Sequence, residues 1–116
     1  MAVKKMTPVK GNLNKITEFS FEAATVASDG LSFVLPKMSD EYVIVLLQNT
    51  DAAAAHNVSI KAPVNGSYFA ADTDETHQLS AGGNAIFRFE SARWANRDGS
   101  ITIVPENAAV KATVLY

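Results

Sequence analysis

The chain has 116 residues, of which 47% are hydrophobic and 19% charged, and it has no cysteine. This length and composition are typical of one globular domain, and the missing thiols exclude disulfides, thiolate nucleophiles and sulfur-ligated zinc. Neither a signal peptide nor a run of ~18 apolar residues is found, so we expect a soluble, unexported protein without a membrane partner.

Charge is distributed unevenly along the chain. The first fifteen residues carry all of Lys4, Lys5, Lys10 and Lys15 and no acid, whereas the remainder carries six basic and all twelve acidic residues. We predict a flexible basic N-terminal arm over 1–15 and one domain over 16–116. Such a charge distribution is typical of a solvated terminus, and also of a tail that meets an acidic partner surface or nucleic acid.

Strands are predicted first where apolar and polar side chains alternate with a period of two. The first strand is expected near residues 16–25, and the second over 31–35, where Pro36 ends the pairing. The continuous aliphatic run 42–47 predicts a central strand covered on both faces. Between these strands lie turn-forming residues such as Ser28-Asp29-Gly30.

The second half of the chain continues the same pattern. Ala52–Ala55 is too short for more than one helical turn, and Asn65-Gly66 predicts a tight turn. Further strands or short edge segments are expected at 58–62, 67–69, 77–79, 85–90, 101–103 and 110–116. Strands that recur every ~8 to 12 residues predict an all-β fold, a single antiparallel β-sandwich of about eight strands, immunoglobulin-like or jelly-roll-like.

Catalytic and metal-binding patterns are not found in the sequence. Serines, His56, His77 and many acids are present, but no nucleophile-elbow motif accompanies them, and both histidines are expected in exposed loops. The acidic stretch 72–75 lacks the glycine and distal glutamate of an EF-hand loop. We therefore expect a protein that is not an enzyme and has no metal or cofactor.

The most distinctive cluster of side chains follows the 85–90 strand. Arg88, Arg93, Trp94 and Arg97 could form a stacking platform or a hot spot for a protein partner. Alternatively, the single tryptophan caps the open end of the core while arginine stems pack over it. A nucleic-acid partner is not expected, because the body is acidic and no basic groove with interleaved aromatics is found.

Five short segments together resemble a known family: Asp29–Phe33, Asp40–Val45, Asn57–Lys61, Ala81–Ala85 and Phe89–Trp94. Over residues 28–116, their order and spacing are similar to small β-sandwich decoration proteins, or auxiliary head proteins, of tailed bacteriophages and prophages. The resemblance implies a non-enzymatic virion protein, made in the host cytoplasm, that binds the major capsid protein on the capsid surface and stabilises the particle. It also leaves room for a homo-oligomer, with a trimer as one option.

On this interpretation, two regions are candidates for the capsid contact. The first is the arm with Lys4, Lys5, Lys10 and Lys15, since a free segment can become ordered on a partner. The second is the connection 91–99 with Arg93, Trp94 and Arg97. The alternative function is a carbohydrate-binding or adhesion module, for which a sandwich would present aromatic platforms.

Overall fold

The computed structural model describes residues 3–37 and 40–116. Within this part the chain forms nine strands, a four-residue helix α1 (Ser91–Trp94) and two short 3-10 turns, Ala27–Asp29 and Asp40–Tyr42. The strands are β1 (Lys4–Lys5), β2 (Glu22–Ala23), β3 (Leu31–Val34), β4 (Ile44–Asn49), β5 (His56–Ile60), β6 (Glu75–Leu79), β7 (Asn84–Phe87), β8 (Ser100–Pro105) and β9 (Val110–Leu115). The prediction of an all-β sandwich is confirmed. No helix in the described part is long and apolar enough to cross a membrane.

The strands form a five-stranded sheet, in the order β1-β3-β8-β5-β6, and a four-stranded sheet, in the order β2-β9-β4-β7. The antiparallel pairs are nested along the chain, because β2 pairs with β9, β3 with β8, β4 with β7, and β5 with β6. This nesting is that of one long hairpin rolled into two sheets, the jelly-roll arrangement. It decides between the two topologies that the sequence left open.

The core lies between the sheets and takes every second residue of the inner strands. In β3, Leu31 and Phe33 are each 1% exposed, whereas the intervening Ser32 is half-buried. Phe33 packs edge-to-face on the buried Phe89, which lies just beyond β7, with ring centroids 6.2 Å apart. The remaining buried aliphatic residues of the central strands are Val45, Leu47, Val58, Ile60, Ile101, Ile103, Val110, Ala112 and Val114.

The strand predicted over 42–47 is displaced and is not covered on both faces. Tyr42 lies in a 3-10 turn and is exposed, and β4 begins at Ile44. The strand is an inner one, between β9 and β7. However, Val45 is buried while Leu46 is only half-buried, because each sheet of an antiparallel sandwich has one face on the core and one outside.

The strand predicted over 16–25 is wrong except at Glu22–Ala23, which pair with β9. The reason is competition for the edge of β9. Val9 bonds to Val114 and Tyr116, and Gly11 donates to the Tyr116 carbonyl at 2.8 Å, so the end of β9 is already paired. Residues 16–21 consequently run unpaired, and Ile16 is 99% exposed.

The predicted flexible arm is corrected for residues 3–11, which pack as part of the sandwich. β1 pairs in parallel with β3, and the amide of Met6 donates to the Ser32 carbonyl at 2.7 Å. The Met6 side chain is 4% exposed within the core, and Val9 then forms a bridge with Leu115. This segment therefore crosses from the five-stranded sheet to the four-stranded sheet. The hydrogen bond from Met6 holds it at β3, those of Val9 and Gly11 hold it at β9, and the Met6 side chain anchors it in the core.

Two smaller predictions are also changed by the structure. Residues 67–69 do not form an edge strand and lie in a turn, whereas the segment predicted at 77–79 is the end of the longer edge strand β6. The connection 91–99 contains α1, whose helical turn ends at Trp94. The other predicted strands coincide with β3, β5, β7, β8 and β9 to within a few residues.

Candidate interaction surface

The strand registers bring several loops together at one end of the sandwich. Val34 lies opposite Ser100, Ile60 opposite Glu75, and Ile44 opposite Leu115. Since the paired strands run antiparallel, the segments that enter or leave the strands at these residues lie at the same end. We call this surface the loop end, and it comprises residues 12–17, 35–37, 40–43, 61–74 and 88–99.

Two segments of the loop end, 61–74 and 88–99, are joined into one unit by hydrogen bonds. Their four contacts are Ser67 Oγ to the Ala92 carbonyl (2.6 Å), the Ala71 amide to the Arg93 carbonyl (2.8 Å), the Arg97 amide to the Asn65 carbonyl (2.8 Å), and the Asn65 amide to Asn96 Oδ1 (3.0 Å). Gly66 permits the turn, since a Cβ there would lie 2.7 Å from both Ala70 Cβ and Pro63 Cγ. The side chains on this unit are therefore carried by a defined backbone.

Three large apolar side chains project from this unit into solvent. Val64 is 101% exposed, Tyr68 96% and Phe69 69%, and the two rings meet edge-to-face with centroids 5.4 Å apart. Sequence reasoning missed Tyr68 and Phe69 as candidates, because it assigned them to an edge strand. The sequence does contain a signal for them, because two adjacent aromatic residues follow the Asn-Gly turn. Adjacent side chains in a loop cannot both face the core, so at least one of the two is expected on the surface.

Arg93 and Arg97 lie on the other segment of the same unit, and both are exposed. Within the described residues neither guanidinium takes part in an ion pair. Trp94 differs from them, because it is half-buried and packs edge-to-face on Phe87 at 5.8 Å, against the core. This geometry agrees with the capping interpretation of Trp94, so the arginines are the surface groups of the predicted cluster. Arg88 is exposed as well, and its Nη2 donates to the Glu41 carbonyl at 3.3 Å.

The four lysines of the predicted arm do not form one patch. Lys4 and Lys5 lie on β1, where Lys4 Nζ is 3.8 Å from Glu22 Oε1. Lys10 and Lys15 are exposed and lie farther along the chain, beyond the crossing at Met6. The predicted arm contact is thus divided into two pairs of lysines, Lys4 with Lys5 and Lys10 with Lys15. The charge of the first pair is partly neutralised by Glu22.

His56 lies at the opposite end of the sandwich and is held between two carboxylates. Its Nε2 is 2.8 Å from Asp51 Oδ2 and its Nδ1 is 3.3 Å from Glu106 Oε1. Only the imidazolium has a proton on both nitrogens, so this geometry favours the charged ring. The hydrogen bond to Asp51 is the main reason that the pKa of His56 is raised above 6.5. The predicted exposed loop histidine is therefore a cross-link, with its side chain 12% exposed.

This cross-link predicts a pH-dependent contribution to stability. Because the pKa of His56 is raised on folding, the contribution is fully present below pH 6.5 and is lost as the pH rises through the pKa of the folded state. The pKa of Asp51 is lowered from 3.8, chiefly by the Ala53 amide and then by His56, so it stays ionised in this window. Between about pH 5 and 8, the free energy of unfolding of the parent should fall as the pH rises. In His56→Ala this fall should be smaller, and urea unfolding measures both.

His77 supplies the matched control for this experiment. It lies exposed on β6 outside the cross-link, so His77→Ala should retain the pH dependence of the parent. Equal pH dependence in His56→Ala and the parent would contradict the role of the cross-link.

The loop end therefore combines exposed aromatic and aliphatic side chains with two guanidinium groups, those of Arg93 and Arg97, that have no ion-pair partner among the described residues. Aromatic residues and arginine are enriched at protein interfaces and among the residues that dominate binding energy. The described residues include no cluster of three or more acidic or histidine side chains that could hold a metal ion. Comparison with known proteins finds no matching family model, no matching curated protein and no matching solved structure.

Proposed function

We propose that this chain is a non-enzymatic structural protein that binds the outside of a bacteriophage capsid and stabilises it. Its partner is the major capsid protein, and its location after synthesis in the host cytoplasm is the virion. The observation that carries the proposal is the exposed Tyr68–Phe69 pair beside Arg93 and Arg97 on one hydrogen-bonded unit. The resemblance over residues 28–116 supports the choice of a capsid as partner.

The loop end suits a contact with a fixed surface. Two of its segments, 61–74 and 88–99, are already joined by hydrogen bonds, so binding does not have to order them, and less conformational entropy is lost on association. The partner that fits has an apolar recess for the rings of Tyr68 and Phe69. It also has carboxylates to receive Arg93 and Arg97, since arginine pairs with a carboxylate through two parallel hydrogen bonds.

The double substitution of Tyr68 and Phe69 by alanine tests this contact. Truncation of a central interface residue costs about 2 kcal/mol or more, which corresponds to about 30-fold in affinity. We therefore expect at least that loss of attachment when the variant is sedimented with capsids that lack the protein. Stability should change little, because both side chains are exposed.

Val26 provides a matched control, since it is an apolar residue, 51% exposed, that lies outside the loop end. Val26→Ala should attach as the parent does. A second variant, Arg93→Ala with Arg97→Ala, should also weaken attachment. If both double variants bind capsids with unchanged affinity, the loop end is not the contact. Absence of the protein from purified virions would end the capsid proposal.

The alternative function, a carbohydrate-binding module, has one feature in its favour, the fully exposed ring of Tyr68. The neighbouring Phe69 ring stands at 84° to it, so the pair does not form the flat platform on which sugar rings stack. Specific signals on a glycan array that disappear in Tyr68→Ala would favour this alternative over the capsid proposal.

A further inference from the structure

The two outer faces of the sandwich differ in chemistry. The five-stranded sheet presents mainly hydroxyl and amide side chains on its outer face, among them Ser32, Asn57, Ser59, Thr76, Gln78 and Thr102, with Val34 and Val104 as the apolar exceptions. The outer face of the four-stranded sheet carries the exposed Ile86 and the half-buried Phe21, Ile44, Leu46 and Leu115, with the polar Gln48, Asn84 and Lys111 at one end. Outer faces of antiparallel sandwiches are commonly polar. An outer face with this many apolar side chains is typical of an interaction surface.

On one side this face ends at β7, one of the two edge strands of the four-stranded sheet. The Asn49 amide donates to the Gly83 carbonyl at 2.9 Å. In an antiparallel pair every second residue bonds to the partner strand, so the backbone groups of Ala85 and Phe87 also point toward β4. The N–H and C=O groups of Asn84 and Ile86 therefore point away from the sheet. The Ile86 side chain is 65% exposed beside these groups, so the edge is apolar and open to another strand.

The edge of the other sheet is different. In β6, residues 75–78 are Glu-Thr-His-Gln, and all four are exposed. Charged and polar side chains on an edge strand discourage pairing with another chain. Only one of these two edges thus carries the usual protection.

We propose that β7 pairs with β7 of a second copy, antiparallel about a two-fold axis at Ile86, and joins the two four-stranded sheets into one. The free backbone groups of Asn84 and Ile86 require an extended strand as their complement. About this axis Ile86 faces its own copy, Ala85 faces Phe87, and Asn84 faces Arg88. Small residues then lie opposite large ones and an amide opposite a guanidinium, and no like charges meet.

This self-complementarity is the reason for choosing a second copy over a foreign strand. A two-fold pairing is closed, so it gives a dimer and not a fibre. It also continues the groove of about 440 Å³ that Phe21, Leu46 and Ile86 line together with Gln48 and Asn84 on each copy, because the two outer faces become one across the axis. β7 lies outside the loop end, and of the residues in this pairing only Arg88 belongs to it, so the dimer uses none of Tyr68, Phe69, Arg93 and Arg97.

Sedimentation velocity over a range of protein concentrations tests the dimer. The parent should dimerise, and Ile86→Lys should weaken dimerisation at least about tenfold, because it places two ammonium groups opposite each other on the axis. The matched control is Val34→Lys on the outer face of the other sheet, where Val34 is 55% exposed, and it should dimerise as the parent does. A parent that stays monomeric, or a dimer that Ile86→Lys leaves unchanged, overturns the proposal.

A cross-link provides a second measurement that does not depend on the tolerance of lysine. The chain has no cysteine, so Ile86→Cys introduces a single thiol. Hydrogen-bonded antiparallel pairs have Cα atoms about 5.5 Å apart, which lies within the range of a disulfide. Oxidation should convert Ile86→Cys into a covalent dimer and leave Val34→Cys monomeric. Equal cross-linking of the two variants would contradict the register.

Discussion

Replacing Phe33 by alanine is expected to lower the free energy of unfolding by about 3–5 kcal/mol. The ring is 1% exposed in β3 and packs on the buried Phe89, so its removal leaves a cavity in the core. Domains of this size have a total stability of about 5–15 kcal/mol, so the variant lies close to the limit of folding. Urea unfolding followed by Trp94 fluorescence measures the loss.

The next residue in the same strand gives the control. Val34 is 55% exposed on the outer face, so Val34→Ala should change stability by less than about 0.5 kcal/mol. The two variants differ in the face of the strand and share its local sequence. Losses of equal size in Phe33→Ala and Val34→Ala would contradict the assignment of the core face.

Deleting Met1 to Gly11 is expected to destabilise the sandwich by at least about 2–5 kcal/mol. That range is the cost of truncating a buried methionine, and Met6 is 4% exposed in the core. The deletion also removes the partners of Ser32 and Tyr116 at the edges of the two sheets. Thermal or urea unfolding of the truncated chain should therefore show a lower midpoint, and Met6→Ala should account for a large part of the change.

The same deletion cannot by itself test whether the arm contacts a capsid, because it unfolds part of the scaffold as well. Lys4→Ala with Lys5→Ala keeps the backbone pairing of β1 and removes the charges, so it should leave stability nearly unchanged. Loss of capsid attachment in this variant would place the contact on β1. A truncated chain as stable as the parent would show that the segment does not close the sandwich.

Local alternation determined the fold class. In β3, β5, β8 and β9, apolar side chains recur with a period of two, because one face of each strand lies on the core, and these strands were located from the sequence to within a few residues. The same pattern misled at 16–21, where Phe19 and Phe21 alternate with polar residues without a neighbouring strand to pair with. Alternation indicates that one face of a segment is apolar, but it does not indicate which strand, if any, the segment bonds to.

The candidate surface was predictable only in part. Arg93 and Arg97 were identified from the sequence as surface groups, whereas Tyr68 and Phe69 were not, because their exposure depends on how segment 61–74 rests on segment 88–99. The alternative roles of Trp94 were also open in the sequence. Its contact with Phe87 decides for packing, since the two residues are brought together by the return of the chain from β7 through α1.

The sequence by itself therefore determined a one-domain β-sandwich with a basic N-terminal segment. The tertiary structure decided that this segment packs into the sandwich between residues 3 and 11, that the strands follow the jelly-roll order, and that β7 is an open apolar edge. The physical reason is the distance in sequence between partners. Val9 pairs with Leu115 and β2 with β9, and no local pattern at either segment indicates the other.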